Sequence, residues 1–318
     1  MKKVRVALIG AGVMANSVHY PSLVEMEDVE ILGLCDLIPE KLKVTAEKFK
    51  ISQTFTDYKE MLAKTSPDAV YILMPPHHLF DIVIFCLQNG LHIFIEKPPG
   101  ITLNQTKEMA KLAEKKAVFT MVSFQRRFAP VMVKAKEIVR EKSEILQCQA
   151  NFFKYYSGGP YYNGAVDILT CDAIHSVDIL RWMAGEVKKV CGSVRALFAD
   201  YDNSFNALLE FENGAIGFLS TNWMSGKRIY SVEMHARGIV AFVDPEDKAI
   251  IYKDGKEEPK ILLSKEVAQS NQLHKFAGFY SENRHFIDCI KEKKLPETNF
   301  SDAVKTMELV ERIYRSQV

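Results

Sequence analysis

The sequence predicts two domains of different class: a doubly wound α/β domain with a parallel sheet over residues 1–123, and an α+β domain with an open, mainly antiparallel sheet over residues 124–318. Three observations support this interpretation. A chain of 318 residues is long enough to bury two hydrophobic cores. Short apolar runs alternate with amphipathic helical stretches in the first part. After about residue 145, strand-like runs follow one another with few helices between them.

The first part contains five short, nearly continuous apolar runs, the pattern of strands that are buried on both faces of a parallel sheet. These runs are VRVALIG (4–10), VEILGLCD (29–36), DAVYILMP (68–75), LHIFIEK (91–97) and AVFTMVS (117–123). Helical stretches at 39–50 and 103–117 lie between them. In the second stretch Leu103, Met109 and Leu112 share a face while the lysines point to water. This repetition of strand and helix predicts the doubly wound domain.

The second part of the sequence has the pattern of successive strands that is typical of an open sheet. In SFNALLEFENGAIGFLST (204–221), Asn213 and Gly214 separate two alternating segments and predict a β-hairpin. Successive strands without intervening helices favour antiparallel pairing. Gly185 is the expected C-cap of the helix that interrupts the strands. The helices predicted here span, in order, residues 129–142, 173–185, 274–293 and 300–316.

Composition and charge exclude several function classes. The net charge is +1 and no run of five like charges occurs, which argues against a nucleic acid or an anionic membrane as partner. The six cysteines are scattered without a CxxC pair, so we expect buried thiols in the reducing cytoplasm. MKKVRVALIGAGVMA begins like a signal peptide, but Arg5 interrupts the apolar stretch and the glycines have a better explanation. We therefore interpret it as mature protein.

The turn after the first predicted strand carries a dinucleotide fingerprint, GxGxxA. Gly10 permits a tight turn, Gly12 lets the backbone approach a pyrophosphate, and Ala15 is small enough for helix–strand packing. The amides of the helix start, which includes Val13 and Met14, then face the phosphates. We expect a bound nicotinamide dinucleotide at this turn.

The end of the second predicted strand indicates which dinucleotide binds. Asp36 can accept hydrogen bonds from the ribose hydroxyls and would repel a 2′-phosphate. Since no arginine occurs in DLIPE (36–40), NAD is favoured over NADP. The alternative for Asp36 is a helix N-cap or a turn residue.

Several motifs together resemble the Gfo/Idh/MocA oxidoreductases, which include inositol and glucose–fructose dehydrogenases. The resemblance rests on the GxGxxA turn (10–15), Asp36, the Glu96-Lys97-Pro98 triplet, SFQRRF (123–128), IHSVDILRWMAG (174–185) and NRHFIDCIKEKKLP (283–296). It spans essentially the whole chain and implies a Rossmann domain followed by a substrate-binding and oligomerisation domain.

The resemblance implies catalytic roles for a lysine and a histidine. Lys97 would hydrogen-bond a substrate hydroxyl and stabilise the developing alkoxide, and His175 would act as general base. Glu96 would steady either the cofactor or Lys97, and Pro75 would shape the loop against the cofactor. Lys97 is itself among the expected cofactor contacts. Without the resemblance, a solvated strand end explains Glu96-Lys97 as well as a functional role does.

An acid near His175 departs from the usual pattern of the family. Many relatives carry aspartate four residues before the histidine, where this chain has Cys171. Asp172 lies three residues before His175, still one helical turn away, and we expect it to assist catalysis or to bind substrate. Asp178 is either a partner of His175 or an exposed helix acid.

Further substrate contacts are expected from Gln125, Arg127 and Tyr162, in addition to Lys97, Asp172 and His175. For Arg127 a structural salt bridge is an equal alternative. Trp223 and Lys227 either line the pocket or end a strand. His77 and His78 lack a third partner on any predicted neighbouring element, so no metal site is expected.

The leading hypothesis is an NAD(H)-dependent dehydrogenase acting on a secondary hydroxyl of a sugar, cyclitol or related polyol. One alternative is a glycosidase that uses transient oxidation by tightly held NAD, followed by elimination. Another is a non-catalytic NAD-binding regulator. The wide apolar face of the second sheet predicts an oligomer, and the resemblance implies a homodimer or homotetramer.

Overall fold

The computed structural model describes residues 3–156 and 158–317, and its contacts divide the chain into two compact units. The first unit comprises Phe279–Val304 and the described part of Met1–Ser123. The second comprises Phe124–Gly278 and the described part of Lys305–Val318. The chain thus changes unit after Ser123. The sequence analysis placed a single boundary and did not predict that Phe279–Val304 returns to the first unit. The roles assigned to the two domains remain predictions.

The first unit is built on a six-stranded sheet in which every paired strand is parallel. The strands are β1 (Val4–Ile9), β2 (Val29–Cys35), β3 (Thr54–Phe55), β4 (Ala69–Ile72), β5 (His92–Ile95) and β6 (Thr120–Val122). Their order is β3-β2-β1-β4-β5-β6, which reverses direction between β1 and β4. The predicted doubly wound fold is confirmed.

Helices connect these strands, and one later helix joins the same unit. They span Tyr20–Val24, Pro39–Phe49, Tyr58–Thr65, Leu79–Gln88, Leu103–Lys115 and Phe279–Glu292, with a π-helical turn at Ala15–His19 and a 3₁₀ turn at Pro76–His78. Side-chain caps define two of the starts, because Asp57 accepts from the Lys59 amide at 2.7 Å and Thr102 from the Gln105 amide at 3.2 Å. The sequence analysis did not predict the two-residue β3 or the largely apolar helix Leu79–Gln88, which lacks a clear polar face.

The second unit contains an eight-stranded sheet that is antiparallel except for the pairing of β7 with β10. Its strands are β7 (Ile145–Tyr155), β8 (Val187–Arg195), β9 (Ser204–Phe211), β10 (Ile216–Asn222), β11 (Met224–Ala236), β12 (Ile239–Asp244), β13 (Lys248–Lys253) and β14 (Lys260–Leu263). The order is β14-β13-β12-β11-β7-β10-β9-β8. The mainly antiparallel sheet and the Asn213-Gly214 hairpin are both confirmed.

The helices of this unit agree with the sequence analysis with two exceptions, the unpredicted helix Ser264–Val267 and the break in the predicted helix 274–293. They span Pro130–Lys142, Ile174–Ala184, Ser264–Val267 and Leu273–Phe276, and Phe300–Arg315 begins in the first unit and ends in the second. The predicted continuous helix 274–293 is wrong, because Gly278 breaks it with φ +97°. A Cβ there would lie 2.3 Å from the Gln125 carbonyl oxygen, so only glycine fits this sharp turn.

Helix Ile174–Ala184 packs on the middle of the second sheet and encloses its core. The buried rings of Phe152, Trp223 and Tyr230 meet there edge to face, with centroids of Phe152 and Trp223 5.0 Å apart. Residues 169–173 form a π-helical turn directly before this helix. Across the described parts of both units, we find no helix with the length and apolar character needed to cross a membrane.

Candidate active site

The residues assigned to the cofactor all follow strands of the parallel sheet at the same edge. Gly10 follows β1, Asp36 follows β2, Pro75 lies shortly after β4, and Glu96-Lys97 follow β5. Since carboxyl ends of parallel strands meet at one edge, the structure brings these residues to the crevice where such sheets bind ligands.

The two glycines of the turn are required for different reasons. Gly10 has φ +103°, and a Cβ there would lie 2.4 Å from the Leu73 carbonyl oxygen, so the protein itself demands glycine. A Cβ on Gly12 would meet no described atom within 4 Å. Packing thus leaves the Gly12 backbone open, as the approach of a pyrophosphate needs. Val13 and Met14 follow with exposed side chains. The turn therefore fits a dinucleotide.

Asp36 anchors the glycine turn as well as facing the crevice. One carboxylate oxygen accepts from the Ala11 amide at 2.6 Å and the other from the Ile38 amide at 2.8 Å. These two contacts are those expected from the alternative interpretation of Asp36 as a turn residue. Each oxygen has a second lone pair, so ribose hydroxyls could still donate to it.

Asn16 supports the same turn and was missed by the sequence analysis. Its side-chain amide donates to the carbonyls of Ala11 and Gly12, at 3.0 and 3.1 Å. The sequence did contain a signal for this role, since Asn16 carries an amide side chain one helical turn after Gly12.

Glu96 is connected to the interior of the first unit. Its Oε1 lies 2.8 Å from Nε2 of the fully buried His19, and its Oε2 accepts from the Lys97 amide at 3.1 Å. The peptide between Lys97 and Pro98 is cis. His19 was not singled out from sequence, since nothing local marks it as a partner of residue 96.

In the second unit His175 lies at the start of helix Ile174–Ala184. Its side chain is buried, and its backbone carbonyl accepts from the Tyr230 hydroxyl at 3.3 Å. Burial raises the pKa of Tyr230 to about 12, so this hydroxyl stays protonated and remains a donor. The Phe124 ring meets the imidazole edge to face, with centroids 6.4 Å apart.

Asp172, in the π-helical turn before that helix, is the acceptor of a small polar network. The Lys154 ammonium and the Tyr161 hydroxyl, the latter at 2.9 Å, donate to the same carboxylate oxygen. The indole of Trp223 donates to the Tyr161 oxygen at 3.3 Å. Burial and the nearby Asp172 carboxylate raise the pKa of Tyr161, which keeps the phenol a donor.

Lys154 was missed by the sequence analysis, although a signal existed. It lies two residues after the buried Phe152 on β7 and therefore on the same, covered face of the sheet. A lysine on a covered face needs a partner.

Arg127 forms a buried pair with Asp178. Its guanidinium donates twice to the carboxylate, at 2.7 and 2.5 Å, and Thr306 donates to the same carboxylate at 3.0 Å. This contact is the structural salt bridge that the sequence analysis gave as the alternative role of Arg127. Asp178 is buried, so its interpretation as an exposed helix acid was wrong.

Arg126 is also buried and lies over the Tyr230 ring, with its guanidinium carbon 3.5 Å from the centroid. Its nearest carboxylate in the described chain, Glu246, is 3.8 Å away and also pairs with Arg228 at 3.0 Å. Burial lowers the pKa of Arg126, since the charge leaves water.

The remaining candidates show mixed surroundings. Gln125 is buried in a short 3₁₀ turn, whereas Lys227 is exposed. Tyr162 is partly exposed on a left-handed backbone with φ +52°, and it is the neighbouring Tyr161 whose hydroxyl bonds Asp172. Within residues 3–156 and 158–317, no three His, Cys, Asp or Glu side chains are grouped to hold a metal ion.

Comparisons with known proteins agree with this geometry. Residues 4–124 match a family model described as an oxidoreductase family with an NAD-binding Rossmann fold, and residues 132–238 match the GFO/IDH/MocA C-terminal domain. The D-glucoside 3-dehydrogenase of Escherichia coli (strain K12) is 26% identical, over 98% of this chain and 95% of that protein. The scyllo-inositol 2-dehydrogenase (NAD(+)) of Bacillus subtilis (strain 168) is 25% identical, over 96% and 92%.

A solved structure has the same fold throughout. A dehydrogenase from Chromobacterium violaceum matches with a TM-score of 0.90 at 21% identity, covering 100% of this chain and 96% of that chain. With both family models matched in order, the glycine turn built for a dinucleotide and the Glu-Lys-Pro triplet at the strand end, the chain belongs to the Gfo/Idh/MocA family of NAD-binding oxidoreductases.

Proposed function

We propose that the protein is an NAD(H)-dependent dehydrogenase that moves a hydride between the nicotinamide and a carbon bearing a secondary hydroxyl in a sugar, cyclitol or related polyol. The observation that carries this proposal is Lys97 at the carboxyl end of β5, on the sheet edge that also presents the open Gly12 backbone. The relatives named for a glucoside and an inositol support the substrate class.

In this proposal the cofactor, when bound, accepts or returns the hydride. The Lys97 ammonium hydrogen-bonds the reacting oxygen and stabilises its developing negative charge. His175 takes the hydroxyl proton during oxidation and returns it during reduction. The turn residues Gly10, Gly12, Val13 and Met14, with Asp36, Pro75 and Glu96, hold or flank the dinucleotide.

The substrate contacts we propose are Lys97, His175, Asp172, Gln125 and Tyr162. Asp172 would accept from a substrate hydroxyl while Lys154 and Tyr161 fix its carboxylate. We propose that Arg127 acts indirectly, because its guanidinium already orients Asp178 on the helix that carries His175.

We also propose a cytoplasmic homo-oligomer that uses the open face of the second sheet. Five of the six cysteines are buried free thiols, in keeping with a reducing compartment. The register aligns Leu208, Phe218, Gln149, Glu233 and Phe242 in one row across five strands. Three of these are exposed apolar side chains, which a second copy would cover.

The experiment follows nicotinamide absorbance while the protein, with NAD or NADP, meets inositols, hexoses, glycosides, amino sugars and sugar acids. Turnover with NAD on one class is expected. Lys97→Met and His175→Ala should each lower kcat by roughly 100-fold or more while NAD affinity stays within about threefold. Lys111→Met, an exposed lysine of the same unit, is the matched control.

Three outcomes would contradict the proposal. Near-normal turnover in Lys97→Met or His175→Ala would refute the roles assigned to these side chains. Release of an aglycone without net NADH would instead favour the oxidation–elimination glycosidase, and tight NAD binding without chemistry on any substrate would favour a regulator.

A further inference from the structure

A chain of buried polar side chains lies behind the Glu96-Lys97 strand end, within the first unit. His19 and Asn283 are both 0% exposed, and the Glu96 side chain is 11% exposed. The Asn283 amide nitrogen lies 2.7 Å from the Phe279 carbonyl oxygen and 3.2 Å from His19 Nδ1. His19 Nε2 contacts Glu96, which in turn accepts from the Lys97 amide. The chain therefore runs from a helix backbone to the peptide of Lys97.

The hydrogen bonds of this chain define the tautomer of His19. A carbonyl oxygen only accepts, so the Asn283 atom that faces Phe279 must be the NH₂ group. The same NH₂ faces His19 Nδ1, which must then be an acceptor without a proton. The ring proton is therefore on Nε2 and is donated to Glu96. This direction of donation leaves the Glu96 carboxylate as the acceptor of both His19 and Lys97 amide protons.

Aromatic packing holds the imidazole in this orientation. The Phe94 and Phe279 rings meet it edge to face, with centroids 5.3 and 5.6 Å away. Phe94 belongs to β5, the strand that ends at Glu96. Rotation of the ring would break both hydrogen bonds and leave buried polar atoms without partners.

A second buried acid next to Asn283 does not compete for His19. Glu282 is fully buried, and its Oε1 accepts from the Ser123 hydroxyl at 2.7 Å. Burial, and next the Glu96 carboxylate, raise the pKa of Glu282 well above its usual range, so it stays protonated.

We propose that His19 and Asn283 are positioning residues for Lys97, which act by fixing the Glu96 carboxylate that binds the Lys97 amide. This inference rests on the proposed role of Lys97 in hydride transfer. Neither residue touches the reacting atoms. Their function is to restrict the peptide at the strand end, so that the ammonium meets the substrate oxygen in the productive geometry.

The kinetic test compares two substitutions of His19. In His19→Gln the side-chain NH₂ can replace the Nε2 donor, whereas His19→Leu fills the volume without a donor. We expect His19→Leu to lower kcat by about 10- to 100-fold, with the KM for NAD changed less than about threefold. His19→Gln should recover most of the loss.

His92 provides a matched control at the other end of β5. Its ring stacks on that of Phe119, and it accepts a backbone hydrogen bond at 3.0 Å. His92→Leu should keep kcat within about twofold of wild type. Wild-type kcat in His19→Leu, or equal loss in His19→Leu and His19→Gln, would overturn the positioning role.

A spectroscopic test separates failure of this inference from failure of the proposed function. The ¹⁵N–¹H spectrum of the eight histidines, with His19 assigned by its absence in His19→Gln, reports the tautomer without any substrate. We expect an Nε2–H imidazole in wild type and a shifted signal in Asn283→Leu and in Glu96→Gln. An Nδ1–H imidazole would overturn the inference even if the dehydrogenase is active. An Nε2–H signal that responds to both substitutions supports it even if no tested polyol is turned over.

Discussion

The two units present their functional residues in contrasting ways. In the first unit the dinucleotide turn is shaped by backbone: glycines at strand ends, amides bound by Asp36, and carbonyls bound by Asn16. In the second unit the candidate residues are held by charged side chains, with Lys154 on Asp172 and Arg127 on Asp178. The two arrangements place different demands on the sequence.

This difference teaches that the two halves tolerate substitution differently. A backbone-shaped turn fails when a side chain is added, because the space is already occupied or is needed by a ligand. A site of ion pairs fails when one partner is removed, because the other charge stays buried without compensation. Three experiments test this contrast, from the largest expected effect to the smallest.

Removal of one charge from the buried pair should have the largest effect. Arg127→Met leaves Asp178 buried opposite an apolar side chain, and we expect the free energy of unfolding to fall by about 3–5 kcal/mol. Both tryptophans, Trp182 and Trp223, lie in the second unit, so their fluorescence during urea unfolding reports on that unit.

The control for this substitution is an exposed ion pair in the same unit. Lys134 and Glu137 lie 3.1 Å apart, about half exposed, and Lys134→Met should cost less than about 1 kcal/mol. A loss in Arg127→Met no larger than that of Lys134→Met would show that the buried pair does not hold the second unit together.

Alanine at the two glycines should separate folding from binding. Gly10→Ala meets the Leu73 carbonyl and an unfavourable φ, so we expect a loss of about 2 kcal/mol or more. Gly12→Ala should change stability by less than about 1 kcal/mol but weaken NAD binding by about tenfold or more, since the methyl group lies on the pyrophosphate path. Circular dichroism and calorimetric NAD titration measure the two effects. Unchanged NAD affinity in Gly12→Ala would contradict the close approach of the pyrophosphate to the Gly12 backbone.

The buried acid of the first unit should give a smaller, pH-dependent effect. The pKa of Glu282 is raised in the folded protein by burial and by Glu96. Folded protein thus keeps a proton that the unfolded chain releases above about pH 4.5, and this acid destabilises the fold progressively as the pH rises. Glu282→Gln keeps an acceptor for Ser123 and removes the titration.

Relative to wild type, Glu282→Gln should therefore gain stability progressively as the pH rises above about 4.5. Urea unfolding at several pH values, followed by circular dichroism, measures the difference. Glu30→Gln, on an exposed position of β2, should show no such trend. Parallel pH profiles for Glu282→Gln and wild type would mean that the carboxyl group is already ionised in the folded protein.

Local patterns predicted the features that depend on neighbours in sequence. The apolar runs located five strands of the parallel sheet, and Asn213-Gly214 located a hairpin. The helix 274–293 was predicted as continuous because helical periodicity carries no information about the Gln125 carbonyl that approaches Gly278. That contact joins residues more than 150 positions apart.

The sequence by itself determined the fold class, the dinucleotide turn and the strand-end lysine, because strand burial, turn geometry and strand ends follow from residues that are adjacent along the chain. Only the tertiary structure decided the partners of the charged and polar side chains: His19 with Glu96, Lys154 with Asp172, Arg127 with Asp178. The physical reason is that a buried polar group must find a complementary partner, and which partner it meets depends on packing between elements that are distant in sequence.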